Sequence, residues 1–216
     1  MMELTISSIL EWTKLFVRDP KTAARLVKEA HLPLEVSIMM IVLAGVVSTA
    51  VSGVYAVMHN SPDILLRISE TEVMSIAPIG PFGQGLFAVF SGVGMGYALF
   101  RVGRRFDGQG TLPEIMGITA VLQLAVTVIV VAQFVLGLIL PIVGFVLAIL
   151  ATYVFFRSLG HTVNEGHGFG NMGKSAWVII GSILALSMVT VAVFVMLVIL
   201  GFGPESTIVP YSEGVS

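Results

Sequence analysis

Cysteine is absent from this chain of 216 residues. Disulfide bonds, thiolate metal sites and cysteine nucleophiles are therefore excluded. Charged residues are scarce as well, since Asp, Glu, Lys and Arg make up 11% of the chain, against about 25% in soluble proteins. Hydrophobic residues make up 56%. This composition indicates a polytopic membrane protein.

Four long stretches carry no charged residue, and each is long enough to cross a bilayer. They are Val36–Pro62, Val73–Phe100, Ile115–Phe156 and Ser175–Pro204. A spanning helix needs about 20 apolar residues, so the third stretch can hold two helices. Gly137, Pro141 and Gly144 interrupt that stretch near its centre and predict a tight turn there.

The predicted fold is therefore all-α, a bundle of five transmembrane helices. The predicted spans are Leu34–His59, Phe82–Arg101, Leu112–Leu136, Ile139–Phe156 and Ser175–Phe202. We expect an amphipathic segment at residues 1–33, a membrane domain at residues 34–202 and a short external tail at residues 203–216.

The N-terminal segment predicts two amphipathic helices. Asp19 and Pro20 separate them, because an acidic residue caps a helix start and proline is favoured at the first helical position. We expect their apolar faces to lie in an anionic membrane surface. The alternative is that both helices dock under the bundle.

Basic residues are distributed unevenly across the predicted membrane. Of the 11 Lys and Arg residues, the five-span arrangement places all except Arg67 on the side of the N-terminus. Basic loops are retained in the cytoplasm. We therefore expect the N-terminus inside and the C-terminus outside.

The segment Gly168–Ser175 matches the phosphate-binding pattern G-x-x-x-x-G-K-[ST]. That loop functions after a buried strand and before a helix that packs on a parallel sheet. Here it lies between two apolar spans, and no aspartate follows Asp107 to coordinate magnesium. We therefore expect no nucleotide binding, and a flexible cytoplasmic loop in which Lys174 anchors span five at the headgroups.

The same predicted loop contains His161, Glu165 and His167, which are acceptable zinc ligands in principle. Their spacing matches no established helical metal motif, so we expect solvated loop residues and no metal or other cofactor.

The spans contain no ionisable residue at membrane depth. Such residues usually mark proton relays, ion pathways or catalytic centres. We therefore expect no catalytic residues and no enzymatic activity. Gln123 and Gln133 are the most polar interior residues, and we expect them to form interhelical hydrogen bonds.

Small residues recur at intervals that allow close helix packing. The packing candidates are Gly45, Thr49 and Gly53 in span one and Gly85, Ala88, Gly92 and Gly96 in span two. Small faces let helix backbones approach closely in lipid. Internal packing is the expected use, with oligomerisation as the alternative.

Three short motifs stand at characteristic places in this layout. They are Asp19-Pro20-Lys21-Thr22-Ala23 before span one, Arg104–Thr111 before span three, and Arg157-Ser158-Leu159 after span four. In order and spacing the chain resembles the Yip family, the Ypt/Rab-interacting proteins of membrane traffic, and in particular its prokaryotic members. The resemblance implies a five-span bundle without known catalysis. The family motif Asp-Leu-Tyr-Gly-Pro does not precede the first span, so no binding residue is transferred and small-GTPase binding is not expected.

These observations predict a non-enzymatic protein of the bacterial cytoplasmic membrane that organises or binds other membrane components. The expected partners are the lipid bilayer and other membrane proteins or a second copy, with no nucleic acid. The alternative function is a permease or channel for small solutes, or a subunit of one. A pore would require polar residues of several spans to converge on one lumen, and such residues are sparse here.

The charge asymmetry predicts the outcome of reporter fusions. Alkaline phosphatase fused after Ser216 should be active, because the enzyme folds outside the cytoplasm, whereas a fusion within Gly108–Pro113 should be inactive. Phosphatase activity in membranes of cells that express equal amounts of each fusion checks this. The reverse pattern would contradict the five-span topology.

Overall fold

The computed structural model describes residues 5–58, 64–67, 72–76, 80–200 and 206–210. Within these residues the chain forms seven α-helices, of which the last five are long and apolar enough to cross a membrane. The helices are α1 (Ile6–Arg18), α2 (Pro20–Glu29), α3 (Leu34–Met58), α4 (Pro81–Arg105), α5 (Leu112–Ile139), α6 (Pro141–His167) and α7 (Met172–Ile199). The predicted all-α bundle with five spans is confirmed, and the protein is a multi-pass membrane protein.

Three short strands accompany the helices. They are β1 (Ile64–Arg67), β2 (Glu72–Ile76) and β3 (Ser206–Pro210), and they form an antiparallel sheet in the order β1-β2-β3. Ile76 is the register partner of Ile64 in β1 and of Ser206 in β3. The sheet joins the connection between α3 and α4 to the segment after α7. The sequence analysis did not predict these strands.

The tight turn predicted in the third apolar stretch is confirmed. α5 ends at Ile139 and α6 begins at Pro141, the favoured first position of a helix. The two helices form a hairpin in which Gly137 faces Gly144, and a Cβ added to Gly144 would lie 2.7 Å from the Gly137 Cα. The absence of side chains at both positions therefore allows the two backbones to approach closely.

The fourth span is longer than predicted. It was expected to end at Phe156 and to give way to a flexible polar loop, but the structure continues α6 to His167. That expectation was wrong because tertiary contacts, rather than lipid, bury the polar continuation. Leu159 and Val163 of the continuation are buried in the core, and Gly168 ends the helix in the left-handed conformation with φ of 68°.

α5 is the central helix of the bundle. In its most apolar window 61% of the residues are buried, compared with 6% for α7. α5 packs against α1, α2, α3, α4 and α6, whereas α7 contacts only α4 and α6 among the described elements. The bundle is therefore organised around α5, and α7 is peripheral.

The N-terminal helices dock on the end of the bundle, which we call the cap end. Asp19 caps α2 as predicted, and Pro20 occupies its first turn. The Thr22 hydroxyl, followed by the Thr22 backbone N–H, donates hydrogen bonds to the Asp19 carboxylate and lowers its pKa. Phe16 of α1 and Val27 of α2 are 1% and 2% exposed. We expected these apolar faces to lie in the membrane surface. Instead α5 and α6 bury them, which is the docked alternative.

The hairpin predicts a contrast between two glycine substitutions. Gly144→Ala should lower stability by about 1–3 kcal/mol, because the new methyl group meets the Gly137 backbone. Gly53→Ala should be neutral or should stabilise by about 0.5–1 kcal/mol, because a Cβ there meets nothing within 4 Å and alanine favours helix. Thermal unfolding in a mild detergent checks both. Equal melting temperatures would show that α5 and α6 are not packed through these glycines.

Candidate functional site

His167 is the buried centre of the cap end. It is the last residue of α6, is 1% exposed, and was predicted to be a solvated loop residue. Its Nε2 atom donates a hydrogen bond to the Leu99 carbonyl oxygen of α4 at 3.1 Å. On its other side the ring stacks on Phe169 with centroids 5.1 Å apart. The prediction was wrong because it ended α6 too early.

Two glycines form the slot that holds the imidazole. A Cβ added to Gly103 in α4 would overlap Nε2 of His167, and one added to Gly108 in the following turn would overlap Nδ1. The Gly108 N–H donates a hydrogen bond to the Gly103 carbonyl at 2.9 Å, which fixes the spacing of the slot. Any side chain at either position would displace the ring.

The turn between α4 and α5 is also attached to the end of α6 through the backbone. The Gln109 N–H donates a hydrogen bond to the His167 carbonyl at 3.0 Å. A Cβ on Gly110 would lie 2.6 Å from the Gly166 carbonyl oxygen, so the two backbones are in close contact. The turn and the helix end therefore form one rigid unit.

Lys28 connects α2 to the same helix end. Its Nζ donates hydrogen bonds to the Gly166 carbonyl at 3.0 Å and to the Glu165 carbonyl at 3.4 Å. The last carbonyls of a helix lack partners within the helix, and its C-terminus carries partial negative charge. A lysine at this position satisfies both the hydrogen bonds and the charge.

α6 in turn satisfies the last carbonyls of α1. The Ser158 hydroxyl donates a hydrogen bond to the Phe16 carbonyl at 3.1 Å, and Arg157 Nη1 donates one to the Val17 carbonyl at 3.0 Å. Ser158 is fully buried. These bonds hold the end of α1 against the side of α6, two turns before His167.

All three motifs of the sequence analysis therefore meet at the cap end. Asp19-Pro20 starts α2, Arg104–Thr111 contains the turn that holds His167, and Arg157-Ser158 holds α1. The sequence analysis named His167 but did not predict its burial. Gly168 directly after it is a recognised helix-end signal and would have extended α6 to the correct residue.

The phosphate-loop lookalike has a different geometry from a nucleotide-binding loop. Gly168 follows a helix rather than a strand, and Asn171 caps α7 by accepting a hydrogen bond from the Gly173 N–H at 2.8 Å. Ser175 is fully buried, with its hydroxyl 3.4 Å from the Asn164 Oδ1 atom. The motif joins α6 to α7.

His161, Glu165 and His167 do not converge on one point. The Glu165 carboxylate lies 3.9 Å from Lys21 Nζ of α2, whereas His167 faces Leu99 of α4. Within the described ranges, no group of three or more His, Asp or Glu residues could hold a metal ion.

The small residues of spans one and two occupy several helix contacts. A Cβ on Gly45 would lie 2.9 Å from Val89 of α4, and Gly85 of α4 lies against Thr49 of α3. Gly92 faces Ile41 and Gln123, and Gly96 faces Met116. Gly53 faces open space, and Ala88 is half-buried. It stays a prediction that the stability of the protein depends on these residues.

The slot predicts a compensating pair of substitutions. Gly103→Ala alone should destabilise the protein because its methyl group displaces the imidazole, and His167→Ala alone should destabilise it by leaving a cavity. The double variant should be more stable than the sum of both effects by about 0.5–3 kcal/mol, because the methyl group fills space left by the ring. Melting temperatures of the four proteins check this. Additive effects would contradict the contact.

Comparison with known protein families identifies a match that covers these residues of the cap end. The family model described as the Yip1 domain matches residues 14–202, which contain all five spans and all three motifs. No curated protein matches the chain, and no solved structure matches it. Because the matched region covers most of the chain, the resemblance inferred from the motifs is confirmed, and the chain belongs to the Yip1-domain family.

Proposed function

We propose that this protein is a non-enzymatic component of the bacterial cytoplasmic membrane that binds other membrane components through its cap end. The observation that carries the proposal is the fastening of α1 and α2. Hydrogen bonds from Lys28, Arg157 and Ser158 hold both helices on the bundle. A surface held in this way is preorganised, so a partner would not have to supply the free energy of ordering it.

The outward face of α1 combines apolar and basic side chains. Leu10 and Val17 lie seven residues apart on one helical face and are 43% and 38% exposed. Lys14 lies between them on the same face and is exposed, as is Arg18 beside it. Apolar patches with a polar rim favour binding of another protein or a membrane. We infer a partner whose apolar surface is bordered by acidic groups.

The small residues of α3 and α4 support a cap-end partner rather than one bound along these spans. Gly45, Gly85, Gly92 and Gly96 face neighbouring helices of the same chain. Small faces used in this way are not available for association with a second protein. Internal packing is therefore the use that we propose for them.

The permease alternative has less support. Several hydroxyl groups in the spans donate hydrogen bonds to carbonyls one turn earlier in their own helices, which leaves them less available to line a polar lumen. Examples are Thr49 to Gly45, Thr127 to Gln123, Thr152 to Ala148 and Ser182 to Val178, at 2.7–2.9 Å.

Affinity purification tests the proposal. The full-length protein, captured from membranes in a mild detergent, should retain one membrane protein in stoichiometric amount by quantitative mass spectrometry. The double variant Leu10→Ser/Val17→Ser should lower retention about tenfold, because burying the exposed part of each apolar side chain contributes about 1 kcal/mol.

The matched control is Phe106→Ser, which removes an apolar side chain of similar exposure, 37%, from another part of the cap end. It should retain the partner. Equal retention by both variants, or no stoichiometric partner for the unmodified protein, would contradict the proposed role of α1.

A further inference from the structure

The bundle contains a large cleft at the end opposite the cap, which we call the far end. α3 and α6 both pack on α5, but among the described elements they make no contact with each other. The space between them is about 810 Å³, with Ser52 on α3, Gln133 and Gly137 on α5, and Ala148 on α6 among its lining residues. α5 forms its floor. This volume lies in the range of about 300–1,000 Å³ that is typical of ligand sites.

The cleft lies at the depth of a lipid acyl chain. Along α6 it extends from Pro141 to Ala148, and along α5 from Val130 to Leu138. These stretches are about 10–12 Å long at 1.5 Å per residue. One leaflet of a bilayer contributes about 15 Å of hydrocarbon. The cleft therefore spans most of one leaflet, inside segments that cross the membrane.

The surface around the cleft is continuous with the lipid-facing surface of the bundle. Phe145 lines the cleft and is 64% exposed, and its neighbours Ile142 and Ile149, outside the cleft, are 69% and 59% exposed. A hydrocarbon chain could therefore enter sideways from the bilayer past these apolar side chains.

The Gln133 amide in the cleft is available for a ligand. The Gln133 side chain lines the floor and is half-buried, and within the described part of the chain it forms no hydrogen bond. An amide in an apolar environment without a hydrogen-bond partner costs free energy, about 1–3 kcal/mol in proteins. The expected interhelical hydrogen bond of Gln133 is therefore not formed within these residues.

The depth of Gln133 matches that of an ester group. α5 has 28 residues and is about 42 Å long, so about 6 Å extends beyond a 30 Å hydrocarbon core at each end when the helix is centred. Gln133 precedes the last residue of α5, Ile139, by about 9 Å. It thus lies about 3 Å inside the hydrocarbon boundary, and its side chain can extend to the ester carbonyl oxygens of glycerolipids at that boundary.

We propose that the cleft binds one diacyl glycerophospholipid of the adjacent leaflet. One acyl chain fills the space between α3 and α6, and the Gln133 side-chain NH₂ donates a hydrogen bond to an ester carbonyl oxygen of that lipid. Gly137 and Gly144 pack against each other at the α5–α6 junction, and both line the cleft.

Lipid titration of the purified full-length protein, followed by native mass spectrometry, tests the proposal. The probe is dioleoyl phosphatidylglycerol, compared with its diether analogue, which has the same chains and headgroup but no ester carbonyl. Gln133→Leu should weaken binding of the diester lipid about threefold, the value of one hydrogen bond in a membrane protein, and should leave binding of the diether lipid unchanged.

A second pair of variants tests the cleft itself. Ala148→Trp places a large side chain in the cleft and should remove the bound lipid, whereas Ala185→Trp, on the exposed face of α7, should leave it in place. Equal loss of both lipids in Gln133→Leu would overturn the carbonyl contact. Unchanged lipid binding in folded Ala148→Trp, or a protein that forms dimers through this face in place of binding lipid, would overturn the site.

Discussion

The end of α6 is the constraint on which the cap end depends. A helix leaves its last carbonyls without internal partners, and here they are buried against other elements instead of facing water. Lys28 from α2 and the Gln109 N–H from the α4–α5 turn supply the missing donors. Two separate parts of the chain are thereby fixed to one helix end. These bonds hold α2 and the turn against the helix end at which His167 is buried.

The features that could be predicted from the sequence are those set by local physical chemistry. Bilayer thickness and the uncharged stretches predicted the five spans, and Pro141 predicted the α5–α6 turn. Asp19 and Pro20 likewise predicted the start of α2, since capping depends on neighbouring residues alone. Each of these signals acts within a few residues or within one helix, so tertiary contacts were not needed to interpret it.

The features that were missed depend on tertiary contacts. Residues 157–166 are too polar for a lipid-facing helix, so the sequence predicted a loop, yet α1, α2 and α5 provide a protein environment for them. The burial of His167 was missed for the same reason, because nothing in the hydropathy around it indicates the slot between Gly103 and Gly108. The apolar faces of α1 and α2 were assigned to the membrane surface for a related reason. The extension of α6 that buries them had itself been missed.

The two ends of the bundle are built on different principles, and this explains why weak motifs could identify the family. At the cap end, Asp19, Gly108 and Ser158 each meet a specific geometric requirement that few other residues meet, so the pattern is recognisable even though each motif is short. At the far end, the cleft is lined mainly by side chains that other apolar residues could replace without loss of the fold. A binding site of that kind leaves little trace in a sequence. Gln133 is different, because an amide at that depth is costly unless a ligand or a neighbouring residue accepts its hydrogen bond.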